Sequence, residues 1–246
     1  MQLEQIRVPL NNKILEHYYE ANEQLTPFFP YALNDDAFEA RYRYLQAQPR
    51  TVGLAEAIAT YMAPFGMTEA VQRNIDALAN GAVAVIGGQQ AGVFTGPLYS
   101  VYKAITVLTV AQQQSDKLGA DVVPVFWIAG EDHDIDEINH TFTNVNNVVK
   151  KRGYSERSRR KTMASQTKLS NEAIEQLIDT VFFDYGETMY TKQLLADVKE
   201  AANKSETFTQ FFTYVMHDLF KQYGLLMIDA ASDDMRALQG EYFVRL

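Results

Sequence analysis

Residues 82–97 read Ala82-Val83-Ala84-Val85-Ile86-Gly87-Gly88-Gln89-Gln90-Ala91-Gly92-Val93-Phe94-Thr95-Gly96-Pro97, and this stretch with its continuation to Asp136 carries the strongest structural signal in the chain. It opens on a short apolar run bounded by glycine, the pattern of a strand buried on both faces. A loop rich in glycine and glutamine follows. Pro97 then suits the first helical position, where its missing N–H costs nothing. The apolar segment beyond it reaches about Gln112. Leu98, Val101, Tyr102, Ile105 and Leu108 share one helical face, and Tyr99, Thr106 and Val110 add apolar area on another, so a well-buried helix is expected. A second apolar run, Val122–Ile128, ends in Ala129-Gly130-Glu131-Asp132-His133-Asp134. Strand, helix and strand in this order make a right-handed parallel unit with both strand C-termini on one edge. Open α/β sheets bind ligands outside that edge. Both polar clusters leave from strand C-termini, so they are expected to lie close together.

Composition sets the outer limits. The chain has 246 residues, enough for one large or two small domains, and 47% of them are hydrophobic, enough for a substantial core. A net charge of −9 argues against a general nucleic-acid binder. There are no cysteines, hence no disulfide framework and no thiolate nucleophile, which fits a cytoplasmic setting. The N-terminus lacks a basic-then-apolar signal pattern. No apolar run approaches the ~20 residues of a membrane span.

Outward from the central unit, residues 1–80 read as a helical N-terminal segment packing on the core. Ile14, His17, Tyr18 and Ala21 form a stripe, broken by Pro27 and Pro30. Further helices are expected over 36–46, over 53–62, and from an N-cap at Thr68 to a stop at Gly81. Residues 81–140 form the first part of the core. Residues 141–222 form a connecting hairpin and helices. They include a basic run of Lys150, Lys151, Arg152, Arg157, Arg159, Arg160 and Lys161, read as a solvated tip, and a helix capped by Ser170. A helix over 208–223 is expected to face Phe211, Phe212, Val215, Leu219 and Phe220 inward. Residues 223–246 return to the core with a buried strand ending at Asp229. The helix from Asp234 shows no stop signal and is expected to expose Met235 and Leu238.

Two clusters could support chemistry. In the loop, Gly88, Gly92, Thr95 and Gly96 make a candidate anion cradle: glycines admit a ligand close to the backbone, and the following helix N-terminus favours negative charge. Gln89 and Gln90 could hydrogen-bond a sugar or carboxylate. Lys103, two turns into the helix, leans back toward the loop. After the second strand, Glu131, Asp132, His133 and Asp134 surround one imidazole with carboxylates. His133, oriented by Asp132 or Asp134, is the candidate general base for a substrate amine. Bunched carboxylates raise one another's pKa unless a donor or cation intervenes, and the same group could hold Mg²⁺. Asp229 should reach the same edge. His17 and His217 read as structural.

The strings from Gly88 to Tyr99 and from Trp127 to Asp134 together resemble the bacillithiol-biosynthesis cysteine-adding enzymes. The resemblance runs the length of the chain. It implies a Rossmann-like parallel sheet, α/β, related to the nucleotidyl-transferase and class I synthetase fold, with inserted connecting segments. It further implies a ligase that adds L-cysteine to glucosaminyl-malate by amide formation, with ATP and Mg as expected cofactors, Tyr99 among the binding residues, and a homodimer. Family members run to about double this length, so the chain is read as an N-terminal portion lacking the family's C-terminal coiled coil. The usual His-x-Gly-His signature of the superfamily is absent, and the Thr95-Gly96-Pro97 corner stands in its place. Two alternatives remain: a nucleotidyl transferase on another small substrate, and a non-catalytic binding or dimerisation module.

Overall fold

The computed structural model describes residues 11–20, 22–25, 27–32, 34, 36–156 and 161–244. They fall into two compact units, one ending at Arg50 and the other beginning at Thr51. The first holds α1 (Lys13–Tyr19) and α2 (Asp36–Gln46). Asn12 caps α1 through its side-chain oxygen, which accepts from the amides of Ile14 and Leu15. Neither helix has a buried residue, so the expected stripe of Ile14, His17 and Tyr18 makes no core there.

The second unit begins with α3 (Leu54–Met62) and α4 (Glu69–Ala79), the latter capped by the Thr68 hydroxyl. Then follow β1 (Val83–Gln89), α5 (Leu98–Leu118), β2 (Val122–Ile128) and the short α6 (Ile135–Ile138). A hairpin of β3 (His140–Val145) and β4 (Val148–Gly153) turns at Asn146 and Asn147, both left-handed. Asparagine tolerates that conformation, which the two-residue hairpin turn requires. Next come α7 (Asn171–Tyr185), α8 (Thr191–Asn203), α9 (Phe208–Phe220), β5 (Leu226–Asp229) and α10 (Asp233–Phe243).

The sheet is parallel in the order β1-β2-β5, with Val83 beside Val122 and Val125 beside Leu226. The fold is thus the Rossmann-like α/β arrangement expected. On one face lie α5 and α9, with Phe126 packed on Phe212. On the other face, Ile58 of α3, Leu78 of α4 and Met235 of α10 meet Val125 and Ile228. A second core, under the hairpin, gathers Ile174, Leu177, Ile178, Ala202, Phe208 and Phe211. It also takes in Val93 and Phe94 from the glycine-rich loop.

Five expectations fail. β1 is not buried on both faces: it is an edge strand, and Ile86 is 63% exposed. α5 buries Ser100, Ala104, Val107, Ala111 and Gln114, whereas Leu98, Tyr102 and Ile105 are exposed. The reason is closeness. A Cβ on Gly87 would lie 2.6 Å from Val107, so the missing side chain there lets the helix settle on the side that carries Ser100, Ala104, Val107 and Ala111. Leu219 is exposed, although Phe211, Phe212 and Phe220 are buried as expected. Met235 is buried in the sheet core rather than exposed. Of the basic run, Arg157, Arg159 and Arg160 lie outside the described residues. Arg152 is not a free cation at a solvated tip: its guanidinium donates to both carboxylate oxygens of Asp184, at 2.6 and 2.9 Å, and ties β4 to α7.

Candidate functional site

The parallel register ends β1 and β2 together, Gln89 beside Ile128, and brings Asp229 beside Ile128 on the other side. The loops that follow are therefore neighbours. Gln90 joins them: its amide nitrogen donates to Asp132 Oδ2 at 2.6 Å and to Glu137 Oε2 at 2.8 Å. Asp132 also accepts from the Asp134 amide at 2.9 Å. The Asp134 backbone N–H and the Gln90 amide hold the Asp132 carboxyl below its usual range. Donors thus outweigh the like-charge repulsion anticipated from sequence.

His133 is exposed, and its ring makes no hydrogen bond. Asp132 is hydrogen-bonded to Gln90 and to backbone, and it lies close enough to the imidazole for the two to interact electrostatically. The Glu131 and Asp134 side chains are exposed beside it.

Lys103 does lean back toward the loop. Its ammonium donates to Gly88 O at 3.2 Å and Gln89 Oε1 at 2.8 Å, and stands 5.1 Å from the Tyr99 ring centre. Gln89 in turn donates to the Tyr99 hydroxyl at 3.0 Å. Gly88, Gln89, Tyr99 and Lys103 form one polar group at the start of α5, and Gln90, Asp132 and Glu137 form a second beside it.

The glycines of the loop answer to packing. A Cβ on Gly88 would meet the Trp127 carbonyl at 2.4 Å, and one on Gly92 would meet Gly96 Cα at 2.7 Å. Three successive residues, Phe94, Thr95 and Gly96, have φ of 52°, 74° and 69°. For a bulky aromatic and a β-branched residue this is costly and has to be held by surroundings. Phe94 packs edge-on against Phe211, 6.1 Å away, and Thr95 is buried. Thr95 and Gly92 therefore shape the corner from inside.

Asp229 is also inside. It is 4% exposed. Its carboxylate accepts from Ser165 Oγ at 2.5 Å and from the Ala231 amide at 2.8 Å. Burial pushes its pKa up, and the Ser165 and Ala231 donors pull back. Ser165 is the residue that the sequence reading missed. Its hydroxyl also lies 3.0 Å from Gly130 O, and its amide donates to the same carbonyl, while the Ala164 amide donates to Asp132 O. The connecting segment is thereby stitched to the loop that carries His133. No local pattern around Ser165 signals this, because its partners lie 35 and 64 residues away.

The family model described as Bacillithiol biosynthesis BshC, N-terminal Rossmann-like domain, matches residues 1–246. The chain belongs to this family. It is 49% identical over 247 residues to a Lysinibacillus sphaericus protein named "Putative cysteine ligase BshC", covering all of this chain and 46% of that protein. Proteins of the same name from Bacillus cytotoxicus and Bacillus thuringiensis strain Al Hakam are 38% and 36% identical over 248 residues, again with 46% of each covered. The chain thus spans just under half the length of these BshC relatives.

Among the described residues no three histidine or carboxylate side chains converge, and the Asp132 and Glu137 carboxylates both accept from Gln90. A groove of about 350 Å³ lined by Arg73, Asn74, Gln112 and Asp121 lies beside the N-terminal end of β2, away from these groups. The C-terminal edge is preferred because the polar clusters and the strained corner meet there. Among the described residues no helix is long and apolar enough to cross a membrane.

Proposed function

We propose that this domain carries the amine-handling site of a ligase that joins L-cysteine to glucosaminyl-malate through an amide bond, giving bacillithiol. The observation that carries the reading is the Gln90 bridge. It gathers Asp132 and Glu137 beside an unencumbered His133, in a chain whose relatives bear the name cysteine ligase. The exposed carboxylates of Glu131 and Asp134 attract an ammonium group. The glucosamine amine is largely protonated at neutral pH, and the imidazole of His133 accepts its proton. The amine nitrogen then attacks the activated cysteine carbonyl carbon, forming the C–N bond as the leaving group departs with its electron pair. Amide formation needs an activated carboxyl, and ATP is the proposed co-substrate for that activation. The first amides of α5, with Lys103 beside them, suit the carboxylate end of the acceptor. The substrates are small molecules, and the lack of cysteine in the chain is in keeping with a cytosolic site.

The test is His133→Ala in the full-length enzyme, incubated with glucosaminyl-malate, cysteine and ATP, with bacillithiol measured by mass. Turnover is expected to fall about 10²- to 10⁴-fold with the melting temperature unchanged. Undiminished turnover removes His133 from the mechanism.

A further inference from the structure

We propose that Asp229 is a positioning residue: through the one hydroxyl hydrogen of Ser165 it sets how firmly the loop carrying His133 is held to the connecting segment. The structural part of this stands without the ligase reading, and the effect on turnover rests on that reading.

Asp229 ends β5 beside Ile128, the last residue of β2, and is buried. A carboxyl group in that position needs donors on its oxygens. Oδ1 accepts from the Ala231 amide at 2.8 Å, and Oδ2 accepts from Ser165 Oγ at 2.5 Å. The Thr209 hydroxyl of α9 is a third donor, and none of the groups that set the Asp229 pKa is a cation. Tyr61 of α3 is close enough to feel its charge, and stays a neutral phenol because burial and that charge both push its pKa up.

Counting hydrogens gives the arrangement two states. Ser165 Oγ stands between two acceptors, Asp229 Oδ2 at 2.5 Å and Gly130 O at 3.0 Å, and has one hydrogen to give. An ionised Asp229 takes it, because charge-assisted hydrogen bonds are the stronger ones. Among the described residues Gly130 O then keeps only the Ser165 amide, at 3.1 Å. A neutral Asp229 carries a hydrogen of its own and donates it from Oδ2 to Ser165 Oγ. The hydroxyl hydrogen is released to Gly130 O, and the loop gains another bond from the connecting segment. Gly130 leads directly into Glu131–Asp134, where the Ala164 amide on Asp132 O is the other tie. The neutral acid therefore fastens the His133 loop, and the carboxylate slackens it. Burial raises the Asp229 pKa above the ordinary carboxylate value, so the neutral form enters at milder pH than it would in water.

Two variants separate the states. Asp229→Asn copies the neutral acid: its carbonyl stays on the Ala231 amide while its NH₂ donates to Ser165 Oγ. Ser165→Ala removes the shared hydrogen. Exchange of the Gly130, Asp132 and Asp134 amides is followed in the 246-residue chain from about pH 8 to about pH 4.5, corrected for the intrinsic rate, with α7 amides as the reference. In the natural protein it is expected to slow by about 2- to 10-fold toward the acid end, the effect of one hydrogen bond. Asp229→Asn should show the slow rate at both ends, and Ser165→Ala the fast rate at both. The same pH response in all three proteins overturns the proposal, and so does faster loop exchange in Asp229→Asn than in the natural protein at the alkaline end. Should Asp229→Asn not fold, Ser165→Ala decides alone, and a retained pH response there overturns the proposal. In the full-length enzyme, the kcat of Asp229→Asn relative to the natural protein is expected to be near one at the acid end and to depart from it as the natural carboxylate ionises. A ratio that is the same at every pH overturns the positioning role. His133→Ala tests the base assignment separately, so failure of the one is told from failure of the other.

Discussion

At the scale of single residues, backbone conformation and burial reassign roles that residue type alone suggested. Gly96 was expected to admit a ligand. With φ 69° and ψ −150° it occupies a region open almost only to glycine, and its nearest neighbours around a Cβ would be 3.6 Å away. Gly96→Ala should therefore cost about 1–3 kcal/mol through strain rather than through a clash, read as a lower urea midpoint at an unchanged slope. His217 is 3% exposed, and although it lies near Gly66 neither ring nitrogen makes a hydrogen bond. Burial holds its pKa down, with Lys221 adding to the effect and Asp218 opposing it. The unfolded chain takes up this proton near pH ~6.5, whereas the native state takes it up only at lower pH, so stability falls as pH drops through that window. Melting curves at pH 7.5, 6.5 and 5.5 should show a steeper acid loss for the natural protein than for His217→Leu; parallel losses would show that the imidazole is not the cause.

At the scale of elements, the informative contacts join loops rather than helices. Gly130 lies where β2, β5 and the connecting segment meet. A methyl group there would sit 2.1 Å from both Asp229 Oδ1 and Ser165 Oγ. Gly130→Ala should destabilise by about 1–3 kcal/mol and speed the exchange of amides 130–134. Adding Ser165→Gly should recover part of that loss, because the two positions share one space. Additive effects would argue against the stitching role of Ser165. Helix boundaries were largely legible in the sequence: Asp36–Gln46 was read to the residue, as were the caps Thr68 and Ser170. Capping is chemistry within a few residues, and a local reading suffices for it. The buried side of α5 was not legible, because it depends on how closely Gly87 lets the helix approach.

At the scale of the whole molecule, the proposed site is one-sided. Glu131, His133 and Asp134 are exposed, and the strand that begins the site is an edge. A reaction that must exclude water from an activated carboxyl is poorly served by such an opening. The 246-residue chain alone is therefore predicted to form no measurable bacillithiol under conditions where the full-length relative turns over. Robust product formation by residues 1–246 would show that the catalytic groups are complete within this domain.

The amino-acid sequence by itself determined the parallel α/β order, the placing of the Gln/Gly loop and the acidic histidine loop at one sheet edge, and the family. Those follow from apolar periodicity, glycine boundaries and two long motifs, all of which are local or topological. Tertiary structure alone decided that Gln90 bridges Asp132 and Glu137, that His133 stands free, that Asp229 is enclosed by Ser165, and that Leu98, Tyr102 and Ile105 face outward. Each of these depends on which side chains, tens of residues apart, end within hydrogen-bonding or van der Waals distance. Hydrophobic spacing specifies a face of a helix or strand. It does not specify which neighbour that face will meet, because the neighbour is set by packing of the entire domain.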